Sequence, residues 1–142
     1  MTKLVPLALL LISNITFADF FCEVKDHKML TDDVLLTAPK NQYHLGAKFV
    51  IDRTTGVVSG KDAPVGDMRV LSVGSSEGAA WKGVTKHLFD RIKGREFTPL
   101  VAMQGNGYDL DYMYIRVYSE EHDKPFIYYD FTSVMTGTCS IL

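Results

Sequence analysis

The chain has 142 residues, with 15 Lys and Arg against 17 Asp and Glu, a net charge of −2 with the histidines neutral. That balance lacks the basic excess of a duplex-binding domain and so argues against a nucleic-acid partner. The length suits one hydrophobic core and one domain, not two.

The first eighteen residues predict export. Lys3, the apolar run over residues 4–12 and the small-residue end Thr16-Phe17-Ala18 have the three-part layout of a secretory signal, with cleavage before Asp19. A transmembrane anchor is the competing reading. The apolar run is well short of the roughly 20 residues a bilayer core demands, and Ser13, Asn14 and Thr16 follow it. No later stretch has spanning length, so a soluble domain over residues 19–142, periplasmic or secreted, is expected. Loss of Lys3 leaves that domain 14 basic against 17 acidic side chains.

From residue 19 onward, β-branched and aromatic segments alternate with turn signals at short intervals, which predicts a mainly β, antiparallel barrel or sandwich. Residues 20–24 read as a first strand and 29–36 as a second, across the polar link Lys25-Asp26-His27-Lys28. Residues 38–44 read as a loop. Residues 45–52 and 57–60 flank Arg53-Thr54-Thr55-Gly56, a tight hairpin connection whose glycine can take the required positive φ. A loop at 61–66 and a strand at 69–73 follow. Residues 77–93 stay open between helix and strand: Ala80, Val84, Leu88 and Ile92 recur at four-residue spacing, but Gly78 and Gly83 oppose a helix and Trp81 to His87 alternates. The C-terminal third predicts strands at 97–103, 108–118 and 126–135, with a turn at 104–107 and a charged loop at 119–125.

Cys22 and Cys139 stand near either end of the predicted exported domain. An oxidising destination makes a disulfide the expected state, and Phe21 in front of Cys22 is not the small residue a lipidation site needs.

Phe49-Val50-Ile51-Asp52 with Gly56 and Gly60, then Gly74-Ser75-Ser76, Lys124-Pro125-Phe126 and the closing Gly137-Thr138-Cys139, come in an order that resembles small exported bacterial β-proteins of unassigned function. The resemblance implies a compact β fold with a cysteine near each end. It implies no activity, cofactor or catalytic residue.

Three constellations could carry chemistry. Gly74-Ser75-Ser76-Glu77-Gly78 fits the nucleophile-elbow pattern, with Asp109, Asp111 and His122 following in hydrolase order, but the parallel sheet that presents such a serine is not foreshadowed. The four histidines lie far apart in sequence, and Asp26, His27, Asp32 and Asp33 lack the spacing of a calcium loop, so no metal and no cofactor is expected. Asp109 and Asp111 share a strand face, more simply as solubilising groups.

The aromatic C-terminal third is the stronger signal. In residues 110–118 the odd positions Met113, Ile115 and Val117 are apolar and the even positions Tyr112, Tyr114, Arg116 and Tyr118 amphipathic. A turn centred on His122 sets Tyr118 opposite Phe126, Arg116 opposite Tyr128 and Tyr114 opposite Asp130. The core face then holds Met113, Ile115, Val117, Ile127, Tyr129 and Phe131, and Arg116 pairs diagonally with Asp130. The other face, Tyr112, Tyr114, Arg116, Tyr118 and Tyr128, is the candidate binding surface. The function expected is a non-enzymatic binding domain for a small apolar or aromatic ligand or for a partner protein. The alternatives are an inhibitor or structural accessory of another exported protein, and a small serine hydrolase.

Overall fold

A computed structural model describes residues 17–33, 35–85, 111–130 and 133–142. Most of the expected signal peptide, the strand at 97–103, the turn at 104–107, residues 86–93, Tyr108, Asp109 and Phe131 lie outside the described residues. The described residues contain nine strands: β1 Phe20–Leu30, β2 Leu36–Thr37, β3 Lys48–Ile51, β4 Val58–Ser59, β5 Met68–Val73, β6 Trp81–Thr85, β7 Tyr112–Ile115, β8 Lys124–Tyr129 and β9 Ser133–Ile141. The described residues contain no helix, and hence none long and apolar enough to cross a membrane. Every pairing is antiparallel, in the order β4-β3-β1-β9-β8-β7-β6-β5, with β2 on the end of β1, and the sheet curls into a nearly closed barrel.

Residues 25–28 do not link two strands, as their polarity suggested; they continue β1, and Met29 and Leu30 belong to it. The reason is a bulge. Val24 pairs with Gly137 and Asp26 with Thr136, so Lys25 is an extra residue that reverses the inward parity. Before it Phe20, Cys22 and Val24 face the interior; after it His27 does. Likewise the strand expected at 126–135 is two strands. The chain turns where the Asp130 carboxylate accepts from the Ser133 amide and hydroxyl at 2.7 and 2.8 Å, which starts β9 and makes Gly137-Thr138-Cys139 part of its ladder. Cys22 and Cys139 are directly opposite across β1 and β9, Cα atoms 4.0 Å apart, and are disulfide-bonded.

Bulky rings over glycines fill the interior. The Trp81 ring occupies the space a Cβ on Gly83 would need, and Phe126 and the Glu23 carbonyl crowd the same position on Gly137. Phe20 meets Trp81, and Phe49 meets Phe126, edge to face at ring separations of 6.1 and 6.0 Å. Met113, Ile115 and Met135 complete this core, all 2% exposed or less. Pairing small with large is how a narrow barrel reaches interior packing density.

The seam between the β4 and β5 edges is bridged by the hairpin read at residues 53–56. Asp52 accepts the Thr54 and Thr55 amides at 2.9 and 2.8 Å. Gly56 turns with φ 77°, and its carbonyl accepts from the Met68 amide at 2.9 Å. Arg53, 7% exposed, donates Nε to the Val73 carbonyl at 2.7 Å and Nη2 to the Gly74 carbonyl at 3.0 Å, while its own carbonyl accepts the Trp81 indole N–H at 2.9 Å. Because those two carbonyls lose charged donors, Arg53→Met is expected to cost about 2–3 kcal/mol. Urea unfolding checks this; a midpoint equal to wild type would show that Arg53 does not hold the seam.

The β7–β8 hairpin departs from the register expected. Ile115 pairs with Phe126, Tyr114 with Ile127, Met113 with Tyr128 and Tyr112 with Tyr129. β7 ends at Ile115, three residues earlier than assumed. The Arg116 carbonyl accepts from the Ser119 amide at 2.9 Å, and the Lys124 ammonium caps the Ser119 and Glu121 carbonyls at 2.6 and 2.7 Å. An odd shift preserves the faces of β7 and inverts those of β8. Met113, Ile115 and Val117 are in the core as expected, but their partners there are Phe126 and Tyr128, while Ile127 and Tyr129 face outward. Arg116 lies opposite Pro125, whose carbonyl accepts its amide, five residues from Asp130. The expected Arg116–Asp130 pair is therefore not formed.

Candidate functional site

The outward positions of β7 and the turn after it gather four of the five residues singled out. Tyr112 and Tyr114 point outward because Met113 and Ile115 fill the barrel. The Tyr114 and Tyr118 hydroxyls are hydrogen-bonded at 2.9 Å, and the Arg116 guanidinium lies over the Tyr118 ring, 5.4 Å from its centre. The bond from Tyr114, and after it the Arg116 charge, hold the Tyr118 hydroxyl below the usual phenol range, and the same bond raises Tyr114. At the other end Tyr112 stacks on Tyr129, rings 6.3 Å apart and 17° from parallel. Tyr129 is the member that the sequence reading missed, since finding it required the β8 parity. The outward neighbour across β6 is Val84, fully buried although it faces away from the interior, whereas Lys82 beside Tyr114 is exposed. The accessible part of the strip is thus its Tyr114, Arg116 and Tyr118 end.

Tyr128, the fifth residue, is not on this surface. It is 4% exposed, faces inward between Met113 and Met135, and hydrogen-bonds Asp111. Burial foremost, then the Asp111 and Asp130 charges, push its hydroxyl well above the usual phenol range.

Tyr128 belongs to a layer at one mouth of the barrel that no local pattern in the chain assembles. The inward row Met113, Tyr128, Met135, His27 crosses β7, β8, β9 and β1 in register. Beyond it lies a cleft of about 400 Å³, walled by His27 and Met29, by Asp130 and Ser133, and by the loop over residues 39–44. The His27 and His44 rings stand 5.3 Å apart, tilted by 54°. His27 is 8% exposed and its Nδ1 has no hydrogen-bond partner. Burial, and secondarily His44, lower its pKa against the smaller upward pull of Asp130 and Asp26.

Comparison with protein-family models, with curated proteins and with solved structures found no match to this chain.

Geometry alone therefore bears on the remaining candidates. Residues 74–78 form the turn of the β5–β6 hairpin, where the Ser75 amide donates to the Ala79 carbonyl at 2.8 Å and the Ser75 hydroxyl accepts the Ala79 amide at 3.4 Å. This is a connection between antiparallel strands, not the strand-to-helix junction of a nucleophile elbow. His122 is exposed in the β7–β8 turn and pairs with Asp123 at 3.2 Å. Asp26 is engaged by Lys28 at 3.3 Å and by the His27 amide. Among the described residues no three His, Cys, Asp or Glu side chains are grouped to hold a metal ion.

Proposed function

We propose that this chain is an exported, non-enzymatic binding domain that recognises a partner protein through the Tyr114, Arg116 and Tyr118 end of its outer tyrosine strip. The observation that carries this reading is the mutual fixing of these three side chains by a hydroxyl bond and a cation–ring contact on an outward face. Tyr and Arg are enriched among the residues that carry interface binding energy, and side chains already held in place lose less freedom when a partner docks. A partner protein is favoured over a small apolar ligand because the interior such a ligand would enter is filled by Phe20, Phe49, Trp81, Met113, Phe126 and Met135. The disulfide and the N-terminal signal pattern support export.

The test compares wild type with a Tyr114→Ala, Tyr118→Ala double variant, each purified from the native host and examined by native mass spectrometry. A protein that accompanies wild type should be retained at least tenfold less by the variant, since two interface tyrosines each contribute about 1–2 kcal/mol. Equal retention, or a small molecule held by both in place of a protein, would remove the strip from the functional reading.

A further inference from the structure

We propose that His27, His44 and Met29 form a binding site for a single copper(I) ion at the mouth of the barrel. The site is independent of the tyrosine strip, which lies on the outer face.

The spacing of the two imidazoles is the first argument. A metal–nitrogen bond of about 2.0 Å sets a ring centre about 3.2 Å from the ion, so two imidazoles at an angle between tetrahedral and trigonal have centres about 5.2–5.5 Å apart. The observed separation is 5.3 Å. The second argument is the state of His27. A side chain this buried with an unpartnered ring nitrogen is uncommon, because an unmet hydrogen bond inside a protein costs about 1–3 kcal/mol; ligation through that nitrogen satisfies it.

Met29 selects the metal. It is two residues beyond His27 on β1, hence on the same strand face, and both side chains wall the cleft. The third donor is a thioether, so no triad of His, Cys, Asp and Glu is needed. Two imidazoles with a thioether suit copper(I), whereas zinc gains little from the sulfur. The cleft also holds one cation, Lys40, and one carboxylate, Asp130, which oppose and favour the incoming charge respectively. Both cysteines are in the disulfide, so no thiol competes.

The experiment is competition for copper(I) against the chromogenic chelator bicinchoninate, under ascorbate and without oxygen, on the full disulfide-bonded domain. Wild type should withdraw one equivalent. His44→Ala should bind at least a hundredfold more weakly, and Met29→Leu at least tenfold more weakly for copper(I) with zinc(II) affinity changed less than threefold. Neither side chain is fully buried, and circular dichroism matching wild type establishes that each variant folds. X-ray absorption of the copper(I) complex should show nitrogen and one sulfur in the first shell. Failure of wild type to withdraw copper, affinity unchanged in His44→Ala, or equal loss of both metals in Met29→Leu overturns the proposal.

Discussion

Replacing Cys22 and Cys139 together by alanine is expected to lower stability by about 4–5 kcal/mol. The bond joins residues 117 apart in sequence, so it confines nearly all of the described barrel to one loop in the unfolded state, and the loop-entropy stabilisation approaches its upper range. The contribution is a large share of the 5–15 kcal/mol that stabilises a typical domain. Comparing oxidised with reduced wild type separates the crosslink from the lost sulfur volume, since both forms keep the sulfur atoms in the core. Both cysteines are fully buried, so a reductant should act only after the barrel opens, at a rate that rises with denaturant. A difference below about 1 kcal/mol between oxidised and reduced protein would show that the β1–β9 ladder holds its register without the bond.

Two tyrosines that look alike in the sequence are expected to behave oppositely. Tyr128→Ala should cost about 3–5 kcal/mol, because it empties the space of an aromatic ring between Met113 and Met135 and removes the hydroxyl bonded to Asp111. Tyr114→Ala should cost about 1 kcal/mol or less, as it trims a half-buried outer ring whose main contact is the hydroxyl of Tyr118. Urea unfolding of the two variants reads the contrast directly. If Tyr114→Ala proved the more damaging, the β8 faces would be inverted and the inner set would be the one expected from an unshifted turn. Tyr128→Phe refines the result: it keeps the ring and should lose only about 1 kcal/mol for the hydrogen bond.

Much of the fold was legible because its signals are local. The hairpin at residues 53–56 needed only a glycine free to take φ 77° and an aspartate to accept the turn amides. The antiparallel β class followed from short alternating segments, and the disulfide from two cysteines in a chain whose first residues have the layout expected of an export signal. On β7 the alternation of Met113 and Ile115 with Tyr112 and Tyr114 placed those two tyrosines on one outward face, since strand period alone decides which side chains share a face, whereas Arg116 and Tyr118 join them from the turn that follows. The errors arose where one residue of register changes everything downstream. The Lys25 bulge turns a polar link into continuous strand and points His27 inward. The early end of β7, closed by Lys124 on the Ser119 and Glu121 carbonyls, exchanges Tyr128 for Tyr129.

What the sequence determined by itself is therefore the composition of each strand face and the covalent tie between the chain ends. Only the tertiary structure decided which faces meet. Phe126 lies over Gly137, where a side chain would strike both that ring and the Glu23 carbonyl, and His27 meets His44 because a loop 17 residues further along the chain folds over the barrel mouth. Such pairings are set by steric fit between segments distant in sequence, and no local pattern encodes them.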